Sequence, residues 1–464
     1  MLYERPHPSV EIPRDRVTFG DVISSKTGWV EKLWAYEVWS GDRVMFVCEN
    51  SADIARIAAV CLMRGICFFP VNPSWPDERL VEAQTLIGPK LTVVDDMLVA
   101  TGLDAVRWSD FVAADSVEPK HSSDKGSDVP VAGVFTSGST KSPRVAILSR
   151  MNVWQSARNT IGALQLGDVR WLASLPIHHV GGLSLVYRCM LGMGCMLAPK
   201  RDESLLDSIL ERQPTHVSLV ATQLYRLLQD EKAADALAQC KAVVMGGGPT
   251  PESLVREAVD RGIPLVMSYG MTETAAMICC TRPGDSLERL MSSGKPLVDG
   301  TDSISADGEI LVRGDQLFLG YLQPEGSLDR PLTENGWFRT GDLGHFDDAG
   351  YLHVTGRKDN MFISGGENIQ PEEIEQMLRN IEGVEDAIVV AVDDAEWGRR
   401  PVAFVRMADG QSLDADALIA RLRKLLPGYK VPRTYHPWPA DLIQPGLKPA
   451  RRDFEARAKE LATE

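Results

Sequence analysis

The sequence predicts an α/β fold: a large N-terminal domain of helix-covered, mostly parallel sheets with a small β-rich subdomain, and a small, mobile α+β C-terminal domain. The chain has 464 residues, and because single hydrophobic cores stop growing beyond about 250–300 residues, at least two domains are expected. Short apolar runs alternate with helix-length segments over residues 41–270, as in a parallel sheet covered by helices. Beyond residue 290 the apolar runs become shorter and turns more frequent.

The first clear unit is a β-α-β motif between Gly41 and Asn72. An apolar, β-rich run is followed by a Ser/Asn/Asp helix cap, an apolar-periodic helix and a second apolar strand. Further candidates for buried strands follow at residues 91–96, 131–137, 170–176, 216–221, 242–248 and 264–270. Such alternation predicts a largely parallel sheet.

The remaining segments complete the predicted domains. Residues 114–130 are polar and turn-rich, which predicts a surface loop. After residue 290, short strands and turns predict the β-rich subdomain. A helix from about 371, two strands, a helix from about 414 and a C-terminal helix from about 452 predict a compact α+β domain. We therefore divide the chain into residues 1–356 and 357–464.

Composition and charge exclude several classes of protein. With 44% hydrophobic and 24% charged residues, the chain has the composition of an ordinary globular protein. A formal net charge of -15 argues against a nucleic-acid-binding protein, which needs a dense basic surface. Charges and prolines interrupt residues 1–16, so we expect no signal peptide, and no run reaches the roughly 18 apolar residues of a membrane span. The oligomeric state stays open, and a homo-oligomer is compatible with these features.

The cysteines are scattered and lie mostly among apolar neighbours. They are Cys48, Cys61, Cys67, Cys189, Cys195, Cys240, Cys279 and Cys280. Because no C-x-x-C pair occurs, we predict small buried thiols rather than disulfides or metal ligands. Free thiols fit a reducing compartment, so we expect a cytoplasmic protein.

Residues 136–144, TSGSTKSPR, follow a predicted buried strand and combine hydroxyl groups, a glycine and two cations. Backbone N–H groups of such a turn can surround phosphate oxygens, while the hydroxyls donate hydrogen bonds and the cations offset charge. The segment is not a Walker A loop, because glycines are missing directly before Lys141 and six residues before it. A polar surface turn is the alternative interpretation.

Two strings, VMGGGP at 244–249 and SYGMTET at 268–274, end predicted strands, where parallel sheets bind ligands. Glycines let a flat adenine approach the backbone, and Tyr269 offers a stacking face and a hydroxyl. Thr272 can donate to a phosphate, and Glu273 carries a carboxylate of the kind that binds Mg²⁺. Two tight turns and a core tyrosine are the alternative.

Asp342 and Arg357 suit a ribose, because a carboxylate and a guanidinium can together bind vicinal hydroxyls. A surface ion pair is the alternative. Arg357 lies in the 354–375 string, VTGRKDNMFISGGENIQPEEIE, which combines three glycines with a helix start at Pro371. This string has the properties of a movable joint.

These strings closely resemble the core motifs of adenylate-forming enzymes, a family of acyl- and aryl-CoA ligases, luciferases and peptide-synthetase adenylation domains. The resemblance covers nearly the whole chain and implies binding of ATP and Mg²⁺. The implied nucleotide-binding residues are Thr136, Ser137, Gly138, Ser139, Thr140, Arg144, Gly247, Gly248, Tyr269, Gly270, Asp342 and Arg357. The chain departs from the family at Lys141, where a glycine is usual, and at Arg144, where a lysine is usual.

The resemblance also implies roles in catalysis and domain motion. Thr272 and Glu273 stabilise charge, with Glu273 as the metal ligand. Asp359 is the hinge, and Gly365 and Gly366 serve the step that uses coenzyme A as a substrate.

Residues 443–452 resemble the loop that delivers the family's adenylation lysine, and Lys448 is the candidate. An ammonium between a carboxylate and an α-phosphate lowers their repulsion most in the transition state. Leu447 separates Lys448 from the glycine that often directly precedes the lysine. Lys430 lacks that glycine context, and a solvated surface lysine is the alternative.

The acyl site is predicted from residues 175–188 and 215–228, which look similar to o-succinylbenzoate-CoA ligases of menaquinone biosynthesis. His179 matches the family's gate between nucleotide and acyl sites, and His178 replaces a common phenylalanine. Gly270 is expected to border the substrate as well as the nucleotide. Arg188 lies in an apolar stretch and needs an anionic partner. A second carboxylate on the substrate would supply it, and so would a structural salt bridge.

The resemblance implies an ATP- and Mg²⁺-dependent acid-thiol ligase that converts o-succinylbenzoate into an acyl-adenylate and then transfers the acyl group to coenzyme A. Another aryl-CoA ligase, for a benzoate-like acid, is the nearest alternative. A carrier-protein-loading adenylation enzyme and a non-enzymatic nucleotide-binding relative are further alternatives.

Overall fold

The protein is described by a computed structural model. It describes residues 16–18, 28–49, 51–98, 102–115, 126–136, 144–164, 169–192, 194–394, 396–408, 410–442 and 450–461. Most of the predicted surface loop at 114–130 lies outside these ranges.

The first large sheet has parallel strands on one side and antiparallel strands on the other. Its described strands, in spatial order, are β18 (Leu328–Asp329), β17 (Gly320–Leu322), β7 (Arg144–Ser149), β6 (Pro130–Thr136), β3 (Cys67–Pro70), β2 (Arg43–Val47), β4 (Leu91–Val94) and β5 (Val106–Arg107). From β6 to β5 neighbouring strands are parallel. From β6 to β18 they are antiparallel.

The second large sheet has a parallel centre between antiparallel edges. Its described strands, in spatial order, are β1 (Arg16–Thr18), β9 (Cys195–Leu197), β8 (Arg170–Leu172), β10 (His216–Leu219), β11 (Ala242–Met245), β12 (Leu265–Met271), β13 (Ala276–Cys280) and β14 (Lys295–Pro296). Strands β9 to β12 are parallel, whereas β1, β13 and β14 are antiparallel to their neighbours.

Helices cover these sheets. They are α1 (Trp29–Ala35), α2 (Ala52–Arg64), α3 (Asp77–Ile87), α4 (Trp108–Ala113), α5 (Arg150–Leu164), α6 (Val180–Leu191), α7 (Leu205–Arg212), α8 (Ala221–Leu228), α9 (Glu231–Ala238), α10 (Glu252–Asp260) and α11 (Leu287–Leu290). The Ser51 side chain accepts a hydrogen bond from the Ile54 N–H (3.1 Å) and caps α2. Every residue from Ile54 to Leu62 is buried, because α2 belongs to the main hydrophobic core, to which both large sheets contribute.

The predicted β-rich subdomain is a four-stranded antiparallel sheet. Its strands are β15 (Asp302–Ile304), β16 (Glu309–Val312), β19 (Phe338–Phe346) and β20 (Leu352–Arg357). Strand β20 leads directly into a short 3-10 helix, Lys358–Asn360.

The C-terminal part is α+β and has cores of its own. Its elements are β21 (Phe362–Ser364), β22 (Glu367–Ile369), α12 (Pro371–Arg379), β23 (Val384–Asp394), β24 (Gly398–Met407), α13 (Ala415–Leu422), β25 (Thr434–Pro437) and α14 (Arg451–Leu461), with short 3-10 helices at Gly428–Lys430 and Ala440–Leu442. Strands β23, β24 and β25 form one sheet, and β21 and β22 form a hairpin.

The predicted fold class is confirmed, as is the β-α-β unit, in which β2 and β3 are parallel and joined by α2. The large sheets carry more antiparallel pairing at their edges than expected, because hairpins such as β6–β7 and β12–β13 extend them. The strand predicted at 170–176 ends at Leu172. All eight cysteines lie in the described ranges and none forms a disulfide; seven are buried, and Cys195 is partly exposed. Within the described ranges, no helix is long and apolar enough to cross a membrane.

Candidate active site

Part of the predicted site falls outside the described residues. Ser137, Gly138, Ser139 and Thr140 belong to the segment 137–143, and Lys448 belongs to the segment 443–449. The site is therefore built from the residues that flank these segments and from the remaining motifs.

The ends of the predicted phosphate loop lie side by side. Thr136 ends β6 and Arg144 begins β7, and the two are antiparallel partners. The Thr136 hydroxyl lies 3.5 Å from the Arg144 carbonyl oxygen, to which it donates. Residues 137–143 thus connect two adjacent strands of a hairpin.

Tyr321 contacts both Glu273 and Arg144, the first residue of β7, and so links them. The Tyr321 hydroxyl donates to Glu273 Oε1 at 2.6 Å, and the Arg144 guanidinium lies over the Tyr321 ring, 5.0 Å from its centroid. Tyr321 reaches this position because β17 pairs with β7, placing Tyr321 opposite Ala146. The Phe318 N–H donates to the Glu273 carbonyl (2.8 Å) and holds its backbone in place.

Burial controls the ionisation of this carboxylate. Glu273 is 6% exposed, and burial raises its pKa, while the Tyr321 hydroxyl, Arg357 and Arg144 act in the opposite direction. Burial and the nearby Glu273 charge also raise the pKa of the Tyr321 hydroxyl, so Tyr321 stays a donor. The buried Glu273 carboxylate supplies oxygen ligands of the kind that bind Mg²⁺, and the nearby Arg144 guanidinium is suited to pair with the oxygens of a polyphosphate.

The glycine run after β11 lies between the ends of two neighbouring strands. An added side-chain carbon at Gly246 would lie 3.2 Å from Ser268 Oγ, and one at Gly247, whose φ is +80°, would lie 3.2 Å from Val220. At Gly248, no atom of the described part of the chain lies within 4 Å of such a carbon. An exposed backbone surface therefore lies at the carboxyl ends of parallel strands, where the sequence predicts adenine binding.

Tyr269, Asp342 and Arg357 form one hydrogen-bonded group. The Tyr269 hydroxyl donates to Asp342 Oδ2 at 2.7 Å, and Arg357 Nη1 donates to Asp342 Oδ1 at 2.9 Å. Arg357 Nη1 also donates to the Thr340 carbonyl (3.1 Å). Because both Asp342 oxygens retain lone pairs, the group can still accept hydrogen bonds from ribose hydroxyls.

Asp359 lies between residues bonded to different parts of the molecule. Lys358 Nζ pairs with Asp307 Oδ2 (2.6 Å) and Glu309 Oε2 (3.1 Å) in the β-rich subdomain. Asn360 donates instead to Glu372 at the start of α12. Asp359 itself is exposed and lies 3.8 Å from Arg357 Nη2.

Gly365 and Gly366 form the turn between β21 and β22. Both have positive φ, +58° and +87°. The Gly365 N–H donates to the Trp397 carbonyl at 2.9 Å, and an added side-chain carbon at Gly365 would collide with the Trp397 ring at 2.2 Å. The side chain that contacts Gly365 is therefore that of Trp397, which directly precedes β24 in the C-terminal part.

His178 and His179 precede α6, with ring centroids 4.5 Å apart. Burial, with a contribution from His179, lowers the pKa of His178 to about 3. Partial desolvation lowers the pKa of His179, whose side chain retains an exposed face. Both imidazoles are therefore mainly neutral near pH 7.

Arg188 is buried in α6 without an acidic partner among the described residues. It is 4% exposed, and its guanidinium lies over the Trp171 ring at 5.6 Å. Its Nε has no hydrogen-bond partner within the described ranges. Burial lowers the pKa of Arg188 to about 10, partly opposed by Cys189 and Cys280, so the side chain remains charged at pH 7. The structural salt bridge considered from the sequence is not found in the described part of the chain.

Two family models match the chain. The model for AMP-binding enzyme matches residues 33–322. This chain belongs to the AMP-binding enzyme family. The model for the AMP-binding enzyme C-terminal domain matches residues 373–442.

Relatives of this AMP-binding enzyme include two ligases. The 2-succinylbenzoate–CoA ligase of Bacillus cereus is 31% identical over 439 residues, 92% of this chain and 90% of the relative. The ligase of the same name from Oceanobacillus iheyensis is 31% identical over 437 residues, 90% of each chain.

Solved structures show the same fold. The o-succinylbenzoate CoA synthetase of Bacillus subtilis in complex with its acyl-adenylate intermediate has a TM-score of 0.83 and 27% identity, and the match covers 95% of this chain and 93% of that one. The Bacillus subtilis protein in complex with ATP and a magnesium ion has a TM-score of 0.82 and 27% identity, and the match covers 95% of this chain and 94% of that one.

The structure of this AMP-binding enzyme adds residues that sequence reasoning missed. Tyr321 is the hydrogen-bond donor to Glu273, and its only sequence signal is a tyrosine in a short apolar strand. Glu372 and Arg451, which are ion-paired, lie far apart in the sequence, and no local pattern links them.

Proposed function

We propose that this AMP-binding enzyme is an ATP- and Mg²⁺-dependent ligase that activates o-succinylbenzoate as an acyl-adenylate and transfers the acyl group to coenzyme A, in menaquinone biosynthesis. The observation that carries the substrate assignment is the buried Arg188 guanidinium without an acidic partner among the described residues. A buried unpaired charge is costly. o-Succinylbenzoate has one carboxylate to activate and a second that can pair with Arg188.

In the first half-reaction, a substrate carboxylate oxygen attacks the α-phosphorus of ATP and pyrophosphate leaves. We infer that Tyr269, Gly247 and Gly248 position the adenine, while Asp342 and Arg357 bind the ribose. Thr136, Arg144 and Thr272 bind the phosphates. These residues hold the α-phosphorus near the carboxylate and stabilise developing charge.

Glu273 is the residue that would hold Mg²⁺, which supplies charge neutralisation for the phosphate oxygens when bound. Tyr321 keeps the carboxylate oriented through its 2.6 Å hydrogen bond. Lys448 is the proposed adenylation lysine, placed between the two anions.

In the second half-reaction, the coenzyme A thiol loses its proton, attacks the acyl carbonyl carbon, and AMP leaves. We infer that the domain formed by residues 357–464 turns about Asp359 between the two steps, so that the Gly365–Gly366 turn replaces Lys448 at the site. The residues on either side of Asp359 support this hinge, because Lys358 pairs with Asp307 whereas Asn360 donates to Glu372. His179 is proposed as the gate between nucleotide and acyl sites, and Gly270 as part of its wall.

The decisive experiment measures acyl-CoA formation by mass spectrometry, with ATP, Mg²⁺ and coenzyme A. The acids offered are o-succinylbenzoate, benzoate, 4-chlorobenzoate and a medium-chain fatty acid. We expect selective o-succinylbenzoyl-CoA formation. In Arg188→Ala, kcat/KM for o-succinylbenzoate should fall by about 10²–10³, because a substrate carboxylate loses its partner. Turnover of benzoate, the matched control without a second carboxylate, should change little.

The same variant gives a second readout. Since the guanidinium is buried and has no ion-pair partner among the described residues, Arg188→Ala should leave Tm unchanged or raise it. Equal losses for o-succinylbenzoate and benzoate, or a wild-type preference for benzoate, would reject the dicarboxylate assignment and favour another aryl-CoA ligase. Transfer only to a carrier protein, and not to free coenzyme A, would indicate a carrier-loading enzyme.

A further inference from the structure

The turn directly after Glu273 contains two alanines in the left-handed conformation that favours glycine. It follows a short 3-10 helix, Thr272–Thr274, and leads into β13. Ala275 has a φ of +51°, and Ala276 has a φ of +101°. A side-chain methyl group makes such dihedral angles costly, so this backbone persists only where neighbouring groups hold it in place.

Gln316 bridges the two sides of this alanine turn. Its Nε2 donates to the Thr274 carbonyl at 3.1 Å and to the Met277 carbonyl at 3.3 Å. These two residues flank the alanines in the chain. Gln316 is 7% exposed and both hydrogen bonds are buried, so its amide takes the place of water as the donor to these oxygens.

The two alanine carbonyls have side-chain donors of their own. The Ser156 hydroxyl donates to the Ala275 carbonyl at 2.7 Å, and the Thr274 hydroxyl donates to the Ala276 carbonyl at 2.7 Å. Each carbonyl oxygen from residue 274 to residue 277 thus accepts a buried hydrogen bond from a side chain. Such a set of donors fixes the path of the backbone through the turn.

Helix α5 sets the orientation of the Gln316 amide. Gln316 Oε1 accepts from Asn159 Nδ2 at 2.8 Å, and Asn159 Oδ1 accepts from Gln155 Nε2 at 2.8 Å. A reversed Gln316 amide would place its oxygen against two carbonyl oxygens and its NH₂ group against that of Asn159. The network therefore keeps the Gln316 donor directed at the turn.

The same contacts fix the backbone of the two motif residues that precede the turn. The Thr272 carbonyl accepts from the Ala275 N–H at 3.0 Å, and the Glu273 carbonyl accepts from the Phe318 N–H at 2.8 Å. Phe318 lies two positions after Gln316. One segment therefore holds both the Glu273 backbone and the turn that follows it.

We propose that Gln316 is a positioning residue for Mg²⁺ and ATP, which holds the Ala275–Ala276 turn so that the Glu273 carboxylate and the Thr272 hydroxyl face the nucleotide. The inference rests on the proposed function. Without the Gln316 donor, the turn can relax towards negative φ and displace the Glu273 carboxylate. Mg²⁺ requires a nearly ideal ligand geometry, so a displaced carboxylate binds it more weakly.

Calorimetry of ATP binding to the full-length protein, with no acid present, tests this role. The dissociation constant of ATP is measured once with Mg²⁺ and once with excess EDTA, and the ratio of the two constants is the Mg²⁺ effect. In the wild type, Mg²⁺ should tighten ATP binding. In Gln316→Leu the Mg²⁺ effect should shrink about 5–10-fold, as expected when a buried hydrogen bond that positions a ligand is lost.

Gln84→Leu is the matched control. Gln84 Nε2 also donates twice, to Thr92 Oγ1 at 2.7 Å and to the Asp104 carbonyl at 2.8 Å. It lies on α3, which carries none of the predicted site residues. Both variants should lower Tm, because each leaves a backbone carbonyl without its donor, but Gln84→Leu should keep the wild-type Mg²⁺ effect.

A second substitution separates the strained turn from other effects of Gln316. Glycine adopts positive φ without the cost that alanine has, so adding Ala275→Gly to Gln316→Leu should recover most of the lost Mg²⁺ effect. Asn159→Ala is a milder variant for the case that Gln316→Leu does not fold. It frees the Gln316 amide to turn, and it should weaken the Mg²⁺ effect in the same direction.

Three results would overturn the positioning role. They are a wild-type Mg²⁺ effect in Gln316→Leu (or in Asn159→Ala, if only that variant folds), an equal loss in Gln84→Leu, and a double variant no better than Gln316→Leu alone. The outcome does not depend on the acid. A wild type that does not use o-succinylbenzoate would reject the proposed substrate and leave this comparison intact, whereas a wild type without any Mg²⁺ effect would contradict the metal assignment and this proposal together.

Discussion

Glu273 shows how strongly individual groups at this site depend on residues from distant strands. Its motif is visible in the sequence, and its burial beside Tyr321 and Arg144 is visible only in the fold. Tyr321 belongs to β17, which joins the first sheet through β7. The donor that opposes the rise in the pKa of this carboxylate could therefore not be found from the SYGMTET string.

Replacing Tyr321 with phenylalanine should move the acid limb of the pH–rate profile to higher pH. Burial raises the pKa of Glu273 and the Tyr321 hydrogen bond lowers it, so removing the hydroxyl raises this pKa further. Metal binding needs the carboxylate, and activity at limiting Mg²⁺ should be lost at a pH about 0.5–1 unit higher, as expected for a hydrogen bond of about 1 kcal/mol.

The measurement is pyrophosphate release from pH 5 to 8 at limiting Mg²⁺. Tyr269→Phe is the control, because it removes a buried hydroxyl that bonds Asp342 rather than Glu273. That variant should be slower without a shift of the acid limb. An unmoved limb in Tyr321→Phe would contradict the proposed coupling.

At the scale of elements, the hairpin of β12 and β13 illustrates a local constraint that sequence pattern cannot reveal. The register shifts between Tyr269 and Gly270. An added side-chain carbon at Gly270 would lie 2.0 Å from the Ala276 carbonyl oxygen. The sequence predicts Gly270 as a nucleotide-binding residue, and the structure adds that the strand pairing itself requires glycine here.

Two glycine variants should therefore separate packing from ligand approach. Gly270→Ala should destabilise the protein by about 1–3 kcal/mol, because the backbone oxygen cannot rotate away. Gly248→Ala should leave Tm unchanged, since open space surrounds that position, but should raise KM for ATP about 5–10-fold if the nucleotide approaches the backbone, equivalent to about 1 kcal/mol. Thermal unfolding and ATP titration of the rate provide the measurements.

Two results for Gly248→Ala would contradict these expectations. A large fall in Tm for Gly248→Ala would show that this turn is packed. An unchanged KM for ATP would place the adenine elsewhere than at the glycine run.

At the scale of the whole molecule, the proposed mechanism requires one chain to present two surfaces of its C-terminal part in turn. The division at 356 and 357 remains a prediction. The physical support for this division is that the two neighbours of Asp359 have different partners. Lys358 pairs with Asp307, and Asn360 donates to Glu372. A short exposed segment between two anchored residues is where rotation costs least.

Replacing Lys448 with alanine should slow adenylation by about 10²–10³ while sparing thioester formation from supplied acyl-adenylate. The reason is that the ammonium acts only while the carboxylate and α-phosphate are being joined. Lys430→Ala is the control, because Lys430 is ion-paired with Glu373, and it should alter neither rate selectively. Equal loss in both half-reactions of Lys448→Ala would refute the assigned role.

The sequence by itself determined the α/β class, the β-α-β unit and the positions of the main strands along the chain, and it supplied the motif residues Tyr269, Glu273, Asp342 and Arg357, whose roles stay predictions. These follow from periodicity, turn residues and short strings, which are local properties of the chain.

Only the tertiary structure decided which of those residues share hydrogen bonds, that Arg188 is buried without an acidic partner among the described residues, and that the Tyr321 hydroxyl donates to Glu273. The antiparallel edges of the large sheets also came only from the structure. Burial, ion pairing and strand neighbourhood depend on contacts between segments far apart in the chain, and these contacts exist only once the sheets have assembled around a common core.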